Sequence, residues 1–414
     1  MPKLATHLTC TGCGACTDAC PRSALAMAYD EEGFAFPKLD PSLCVECGLC
    51  MRTCPVVTPM KSTHPPELPV PFAAWSASPE RRRAASSGGA FAELAEQTLA
   101  CGGLVAGVRA DGLDVCHDLA GTMEEVRHFQ GSKYLQSETR GIYRRVLASL
   151  RRGQKVLFSG TPCQVAGMAN LAEGQRGREN LITCEVACHG VPSIRFWRRY
   201  VEAVGPAFRT LISFRDKQDG WGNSYAVTLS EGVDGRKKVR SSYSEGDTFL
   251  RAYSASLILR KSCYDCPFCS LPRVADITLA DFWGIQQFPE EKEKGISLVI
   301  ANRPAGMSFL KSIPSLVLHP VPWSEALPAN PRVYEGQSFL PWRNFLARRY
   351  LATALQRCSF ATLDKLYTGR IPKWQVWWWP YKLVLRRCDA AVARRRRELQ
   401  QQVAGPIMAQ GVAP

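Results

Sequence analysis

With 46% hydrophobic and 21% charged residues over 414 positions, the chain has the balance of a folded protein with two or three buried cores, which excludes disorder as the default. No stretch reaches the ~18 consecutive apolar residues of a membrane-spanning helix, and the start MPKLATHLTC lacks the apolar run of a secretory signal, so a cytoplasmic, reducing location is expected. The net charge of +15 sits mainly in the tail: residues 1–60 carry four Lys/Arg against six Asp/Glu and residues 331–414 fifteen against four, so no nucleic-acid partner is expected.

In a reducing compartment, clustered thiols point to metal binding or redox chemistry rather than disulfides. Of the 18 cysteines, sixteen precede residue 270, and eight of these fall in CTGCGACTDACP, from Cys10 to Pro21, and CVECGLCMRTCP, from Cys44 to Pro55. Both runs fit C-x2-C-x2-C-x3-C-P, in which three close thiolates wrap one iron–sulfur cube and the fourth, before proline, reaches to the other. The spacing assigns Cys10, Cys13, Cys16 and Cys54 to one [4Fe-4S] cluster and Cys44, Cys47, Cys50 and Cys20 to a second. Zinc also uses C-x2-C, but has no use for the proline-terminated third spacing in duplicate. Gly12, Gly14 and Gly48 suit a backbone folded tightly around sulfur. Residues 1–60 thus read as an α+β ferredoxin-like dicluster domain, and the duplication as two adjacent one-electron stations.

Prolines at 59, 65, 66, 69 and 71 make residues 61–71 a stiff linker. Beyond it, SSGGAFAELAEQTLACGGLVAGV reads as a Gly-rich turn, a helix from about Ala90 to Ala100 and a strand. KVLFSGTPCQVAGMANLAEG repeats strand, turn and helix, and LITCEVACHGVPS is a strand running into a turn. This recurrence predicts an α/β domain with largely parallel strands. The tail, residues 331–414, with WQVWWWPYKLVLRR and ARRRRELQ, reads as a basic helical extension whose tryptophans pack on the core, or as a peripheral contact with an anionic membrane or acidic partner.

Ser86, Ser87, Gly88 and Gly89 stand directly before a helix, where unpaired N–H groups suit a cofactor phosphate or simply cap the helix. Cys163 and Cys188, the latter followed by His189, stand at strand ends, where α/β sheets collect ligands. Each reads either as a buried structural thiol or as one of the ligands that CYDCPFC, with Cys263, Cys266 and Cys269, needs to complete a third cluster.

The ordered motifs SSGG, GSKYLQS, VLFSGTPCQVAG, CHGVPS, SFRDKQDGWG, SCYDCPFC and ADITLADFWGI resemble the coenzyme F420 hydrogenase/dehydrogenase β-subunit family over about residues 72–302. The resemblance implies a flavin-binding α/β domain over residues 72–330, with FAD contacted by Ser86, Ser87, Gly88, Gly89, Ser132, Lys133, Tyr134, Thr161 and Pro162. It implies a third [4Fe-4S] cluster on Cys163, Cys188, Cys263 and Cys266, with Cys269 a spare thiol or a ligand in place of one of them. Ala280 departs from the family wording, where glycine is common; Asp281 and Trp283 follow it. Asp281, Lys133 and Arg215 are the candidate catalytic residues: Asp281 as polar contact or proton carrier, Lys133 as partner of a phosphate or reduced flavin, and Arg215, with Asp216, Lys217 and Trp221, facing a substrate.

The expected protein is an iron–sulfur flavoprotein oxidoreductase that takes electrons from reduced ferredoxin, or another acidic carrier, through its clusters to FAD for two-electron reduction of a small organic substrate. Two alternatives are exchange with coenzyme F420 itself and a non-catalytic electron-transfer subunit serving a partner protein.

Overall fold

The structure, a computed structural model, describes residues 1–60, 68–231, 238–334 and 359–362. The Pro-rich linker expected over 61–71 falls mostly outside these residues, as does nearly all of the basic, Trp-rich tail expected to be helical. Among the described residues, no helix is long and apolar enough to cross a membrane.

Thirteen strands are described. β1 (Leu25–Tyr29) and β2 (Ala35–Leu39) form an antiparallel ribbon in the N-terminal unit, beside short helices Ala15–Ala19 and Leu49–Arg52. The remaining strands are β3 (Val70–Ser76), β4 (Leu104–Asp111), β5 (Asp114–Ala120), β6 (Val156–Gly160), β7 (Leu181–Val186), β8 (Thr210–Arg215) and β9 (Tyr225–Ser230). They are followed by β10 (Lys238–Ser242), β11 (Ile277–Asp281), β12 (Ser297–Ala301) and β13 (Leu316–Pro320). Eight of them build one sheet in the order β13-β3-β12-β11-β7-β6-β4-β5, and β10-β9-β8 form a second.

The expectation of largely parallel strands is corrected. Only β4–β6, β6–β7 and β7–β11 pair in parallel, whereas β4–β5, β11–β12, β12–β3 and β3–β13 are antiparallel. The cause is local at one end of the sheet. β4 and β5 are separated by Gly112 and Leu113 alone, with Gly112 at φ 61, and so short a turn can only return the chain antiparallel. The parallel centre follows from the helices Pro162–Ala172, between β6 and β7, and Ile142–Arg151, before β6, whose apolar faces need a sheet to cover them.

One face of the large sheet packs Leu94, Val105, Leu157, Ile277 and Val299. The other packs Ile142, Val146, Phe158, Val165 and Met168, and Cys13 and Ala15 of the N-terminal unit are part of that same core. Gly167 makes room for them: a Cβ there would lie 2.9 Å from that of Ala15 and 3.6 Å from the Cys13 sulfur. The N-terminal unit is therefore packed into the α/β core.

Candidate functional site

Each N-terminal helix starts on a glycine in the left-handed region, Gly14 at φ 78 and Gly48 at φ 72, a conformation that other residues adopt only with strain. The turns this allows bring backbone N–H groups onto sulfur: Gly12 and Ala15 donate to Cys10 and Cys13, and Met51 to Cys50. Cys10, Cys13, Cys16 and Cys54 line one cavity and Cys20, Cys44, Cys47 and Cys50 a second, which is the sorting read from the spacing, with one cysteine exchanged between the runs. Among the described residues, no three His, Cys, Asp or Glu side chains converge on a point for a single metal ion; the thiols surround cavities instead. Burial raises the Cys10 thiol, pushes Cys13 well up and lifts Cys16 to about 12. Such thiols keep their protons until iron displaces them, so loading is coupled to proton release.

A further five thiols meet in the α/β domain. Cys163 follows β6 as the second residue of helix Pro162–Ala172, and Cys188 follows β7, so the two stand beyond the carboxyl ends of neighbouring parallel strands. Cys263 lies in the turn Lys261–Asp265, with Cys266 and the buried Cys269 just after it. Burial first, then the proximity of Cys269, Cys263 and Cys163, pushes Cys188 well up. A hydrogen bond from Cys266 holds Cys269 down, and the Cys269 thiol lies 3.7 Å from the Cys188 carbonyl oxygen. Cys269 is thus inside the group and not set apart from it. The group adjoins the first N-terminal set, since after burial the Cys163 thiol is the strongest influence raising Cys13. Beneath it lies a wholly buried ion pair, Arg273 with Glu185, in which Arg273 Nη2 and Glu185 Oε2 have no partner.

Residues that the sequence reading did not single out join the two halves. Arg260 Nη1 donates to the Cys10 carbonyl at 3.1 Å and Ser262 Oγ to the same oxygen at 2.9 Å. Gln136 Nε2 donates to the carbonyls of Thr11 and Gly12 at 2.9 and 3.1 Å, and Tyr143 OH to that of Cys13 at 2.8 Å. Gln136 and Ser262 lie within the stretches GSKYLQS and SCYDCPFC, and Arg260 stands three residues before Cys263, but the sequence reading assigns none of them a role.

A cleft of about 520 Å³ opens on the other side, walled by Arg81, Arg127, Ser132, Lys133, Phe214 and Arg215 among others. Ser86 stands behind this wall, its Oγ accepting from the Ser132 N–H at 2.8 Å, so the SSGG and GSKY stretches meet. Ser87, Gly88 and Gly89 serve packing: Gly88 N–H donates to Ser297 Oγ at 2.9 Å, a Cβ on Gly88 would fall 2.4 Å from the Ala74 carbonyl, and Gly89 caps its helix at φ 90. Thr161 and Pro162 lie at the thiol group, with Thr161 Oγ1 3.3 Å from the Cys163 sulfur and Gln164 Oε1 accepting from the Thr161 N–H and hydroxyl. Lys133 Nζ donates to the carbonyls of Gln130, His128 and Gly131, and desolvation pushes it down to about 7.

The structure pairs Arg215 with Asp281, Nη1 to Oδ2, at 2.5 Å. Arg215 is also bonded to Ser224 Oγ and lies over the Tyr225 ring, 4.8 Å from its centroid. Trp221 is buried and stacks on Trp283 at 4.7 Å. Two buried polar atoms here, Asp281 Oδ1 and Trp221 Nε1, have no partner. Asp216 is taken up by Arg240 at 2.9 Å, and Lys217 donates to the carbonyls of Arg82, Ser87 and Lys294, so neither is brought to the cleft. Ala280 faces Leu298 across the β11–β12 pair. Between cleft and thiols runs a file of rings: Arg215 over Tyr225, Tyr225 to Tyr134 at 6.0 Å, Tyr134 to Tyr253 at 5.0 Å, and Tyr253 close enough to Cys188 to be raised by it.

Residues 9–57 match a family of 4Fe-4S dicluster domains, and residues 153–317 match a family described as the C terminus of the coenzyme F420 hydrogenase/dehydrogenase beta subunit. No curated protein matches the chain. Among solved structures, a chain from the F420-reducing [NiFe] hydrogenase complex of Methanosarcina barkeri is similar at 16% identity and a TM-score of 0.44, covering 72% of this chain and 96% of its own. That overlap is too loose to bear on the site.

Proposed function

We propose, from its membership of the coenzyme F420 hydrogenase/dehydrogenase beta-subunit family over residues 153–317 and of the 4Fe-4S dicluster domains over residues 9–57, that this chain carries electrons between its clusters and a flavin. It is an iron–sulfur electron-transfer protein of an oxidoreductase family, with a dicluster unit at 1–60 and a flavin unit at 72–330. The finer reading is that reduced ferredoxin supplies the electrons, that Cys163, Cys188, Cys263 and Cys266 hold a third cluster, and that a small organic molecule is reduced. The single observation that carries it is continuity: from the first thiol set through the second group and the Tyr253, Tyr134 and Tyr225 rings to Arg215 at the cleft, each step joins buried or half-buried groups.

The cleft is of the size of a cofactor site and carries Arg81, Arg127, Lys133 and Arg215 offset by Glu80 and Glu96, and the unpartnered Asp281 Oδ1 and Trp221 Nε1 lie buried near Arg215. Bound there, a flavin supplies the conversion of one-electron arrivals into two-electron chemistry. Arg215 keeps a fixed positive charge beside the cleft, oriented by Asp281 and Ser224, where negative charge would gather on reduction. Asp281 Oδ1 has no partner, so one face of the carboxylate is left to accept a hydrogen bond from a bound group. Lys133 lines the cleft with its Nζ held on three backbone carbonyls, and it would have to exchange one of them to meet a phosphate.

Coenzyme F420 in place of ferredoxin is the second reading, favoured by the family over residues 153–317. Reducing the anaerobically purified chain with ferredoxin and screening acceptors, F420 and unsaturated sugar or tetrapyrrole derivatives included, tests both. Turnover of an organic acceptor supports the first reading and rapid bleaching of F420 by catalytic amounts of protein the second. Cofactor reduction without turnover of any acceptor would overturn both in favour of a non-catalytic electron carrier.

A further inference from the structure

Arg260 is wholly buried and lies where the two cluster-binding regions meet. Its backbone opens the turn that carries Cys263, while its guanidinium reaches into the N-terminal unit, donating to the carbonyls of Cys10 and Ala35 and to Gln136 Oε1. The group lies over the rings of Phe36 and Phe34, 4.4 and 5.4 Å from their centroids, and its Nε has no partner. Gly12 is what admits it, because a Cβ at Gly12 would fall 2.5 Å from Arg260 Nη2. The acidic groups beside the Arg260 guanidinium are the thiols of Cys10, Cys263 and Cys163, with the Asp30 carboxylate behind them.

A guanidinium taken wholly out of water is costly unless an anion compensates it. Its hydrogen-bond acceptors here are neutral carbonyls and an amide, and what surrounds it is the sulfur of two ligand sets. A cubane held by four thiolates carries net negative charge and becomes more negative on reduction. We propose that Arg260 is the fixed counter-charge shared by the first N-terminal cluster and the third, holding the Cys10 loop against the Cys263 turn and favouring the reduced state of both clusters. The inference rests on the reading of Cys163, Cys188, Cys263 and Cys266 as a cluster site. On that reading Arg260 acts as a positioning residue that eases the passage of an electron between the two clusters, with no part in the chemistry at the cleft.

The test uses the full chain, purified without oxygen as wild type, Arg260→Lys, Arg260→Gln and Arg260→Met, with iron quantified and dithionite titrations followed by electron paramagnetic resonance. In Arg260→Gln and Arg260→Met, the reduced-to-oxidised ratio of the first and third clusters at a fixed potential should fall about tenfold, a shift of about 59 mV for a one-electron couple. The cluster on Cys20, Cys44, Cys47 and Cys50 should move less, and Arg260→Lys should stay near wild type. Loss of iron from both neutral variants but not from Arg260→Lys also upholds the charge requirement. The proposal is overturned if Arg260→Lys shifts, or loses iron, as much as Arg260→Gln. It is equally overturned if the neutral variants keep their iron and titrate as wild type, or if only one of the two clusters moves in protein holding all three. Roughly eight irons per wild-type chain instead of twelve would sink the third cluster alone, and the titration of the first would still decide the role of Arg260 there.

Discussion

At the scale of single residues, the Arg215–Asp281 pair is the most exacting contact beside the cleft. Asp281→Asn would leave a buried guanidinium without its carboxylate, and we expect a loss of about 3 kcal/mol in thermal or denaturant unfolding. Arg215→Met combined with Asp281→Leu should recover most of that stability while leaving electron transfer to any acceptor impaired, which separates the fold from the chemistry. Gly12→Ala should cost about 1–3 kcal/mol and lower the iron content, because its backbone sits at φ 68 and its Cβ would meet a side chain with no room to retreat. The sorting of the eight N-terminal thiols into two groups was legible because their spacing is a local property that the fold preserves. The roles of Arg260, Gln136 and Tyr143 were not, since each acts on a loop more than a hundred residues away in the chain. The SSGG stretch was legible as a helix start, but not in its use: Gly88 is demanded by the Ala74 carbonyl, a neighbour that only the sheet order supplies.

Among the elements, the helices Ala90–Ala100 and Pro162–Ala172 could be read from their ends, a Gly pair in one and Thr-Pro in the other. Strand direction could not. The parallel centre was inferred from recurring strand and helix, yet β12, the next strand in the chain, runs against β11, and β3, from the far end of the domain, inserts antiparallel between β12 and β13. Thr161→Ala removes the hydroxyl bond to Gln164 at the head of helix Pro162–Ala172 and should cost about 1 kcal/mol in thermal unfolding. Gly167→Val, on the same helix, would press on Ala15 and Cys13. It should destabilise by about 1–3 kcal/mol and alter the magnetic interaction between the first cluster and its neighbour, whereas a substitution on the solvent side of the helix should do neither.

For the molecule as a whole, the N-terminal unit and the α/β core form one packed body around their thiols, and its stability should respond to pH accordingly. His117 is buried, with one ring nitrogen at Ser159 O and the other at Ser137 Oγ, and desolvation lowers it to about 4. The unfolded chain takes up this proton near pH 6.5 while the folded one refuses it, so stability is full above that pH and falls as pH drops from 6.5 towards 4. The His117 contribution to the fall is on the order of 2–3 kcal/mol, and His117→Asn should flatten that part of the stability–pH curve measured by denaturant unfolding. The proposed function requires three clusters leading in file to a flavin. Iron and flavin analysis of oxygen-free protein, with paramagnetic resonance after dithionite, tests this: roughly twelve irons, one FAD and mutually interacting cubane signals are expected. Eight irons, no flavin and no interaction beyond the N-terminal pair would contradict it.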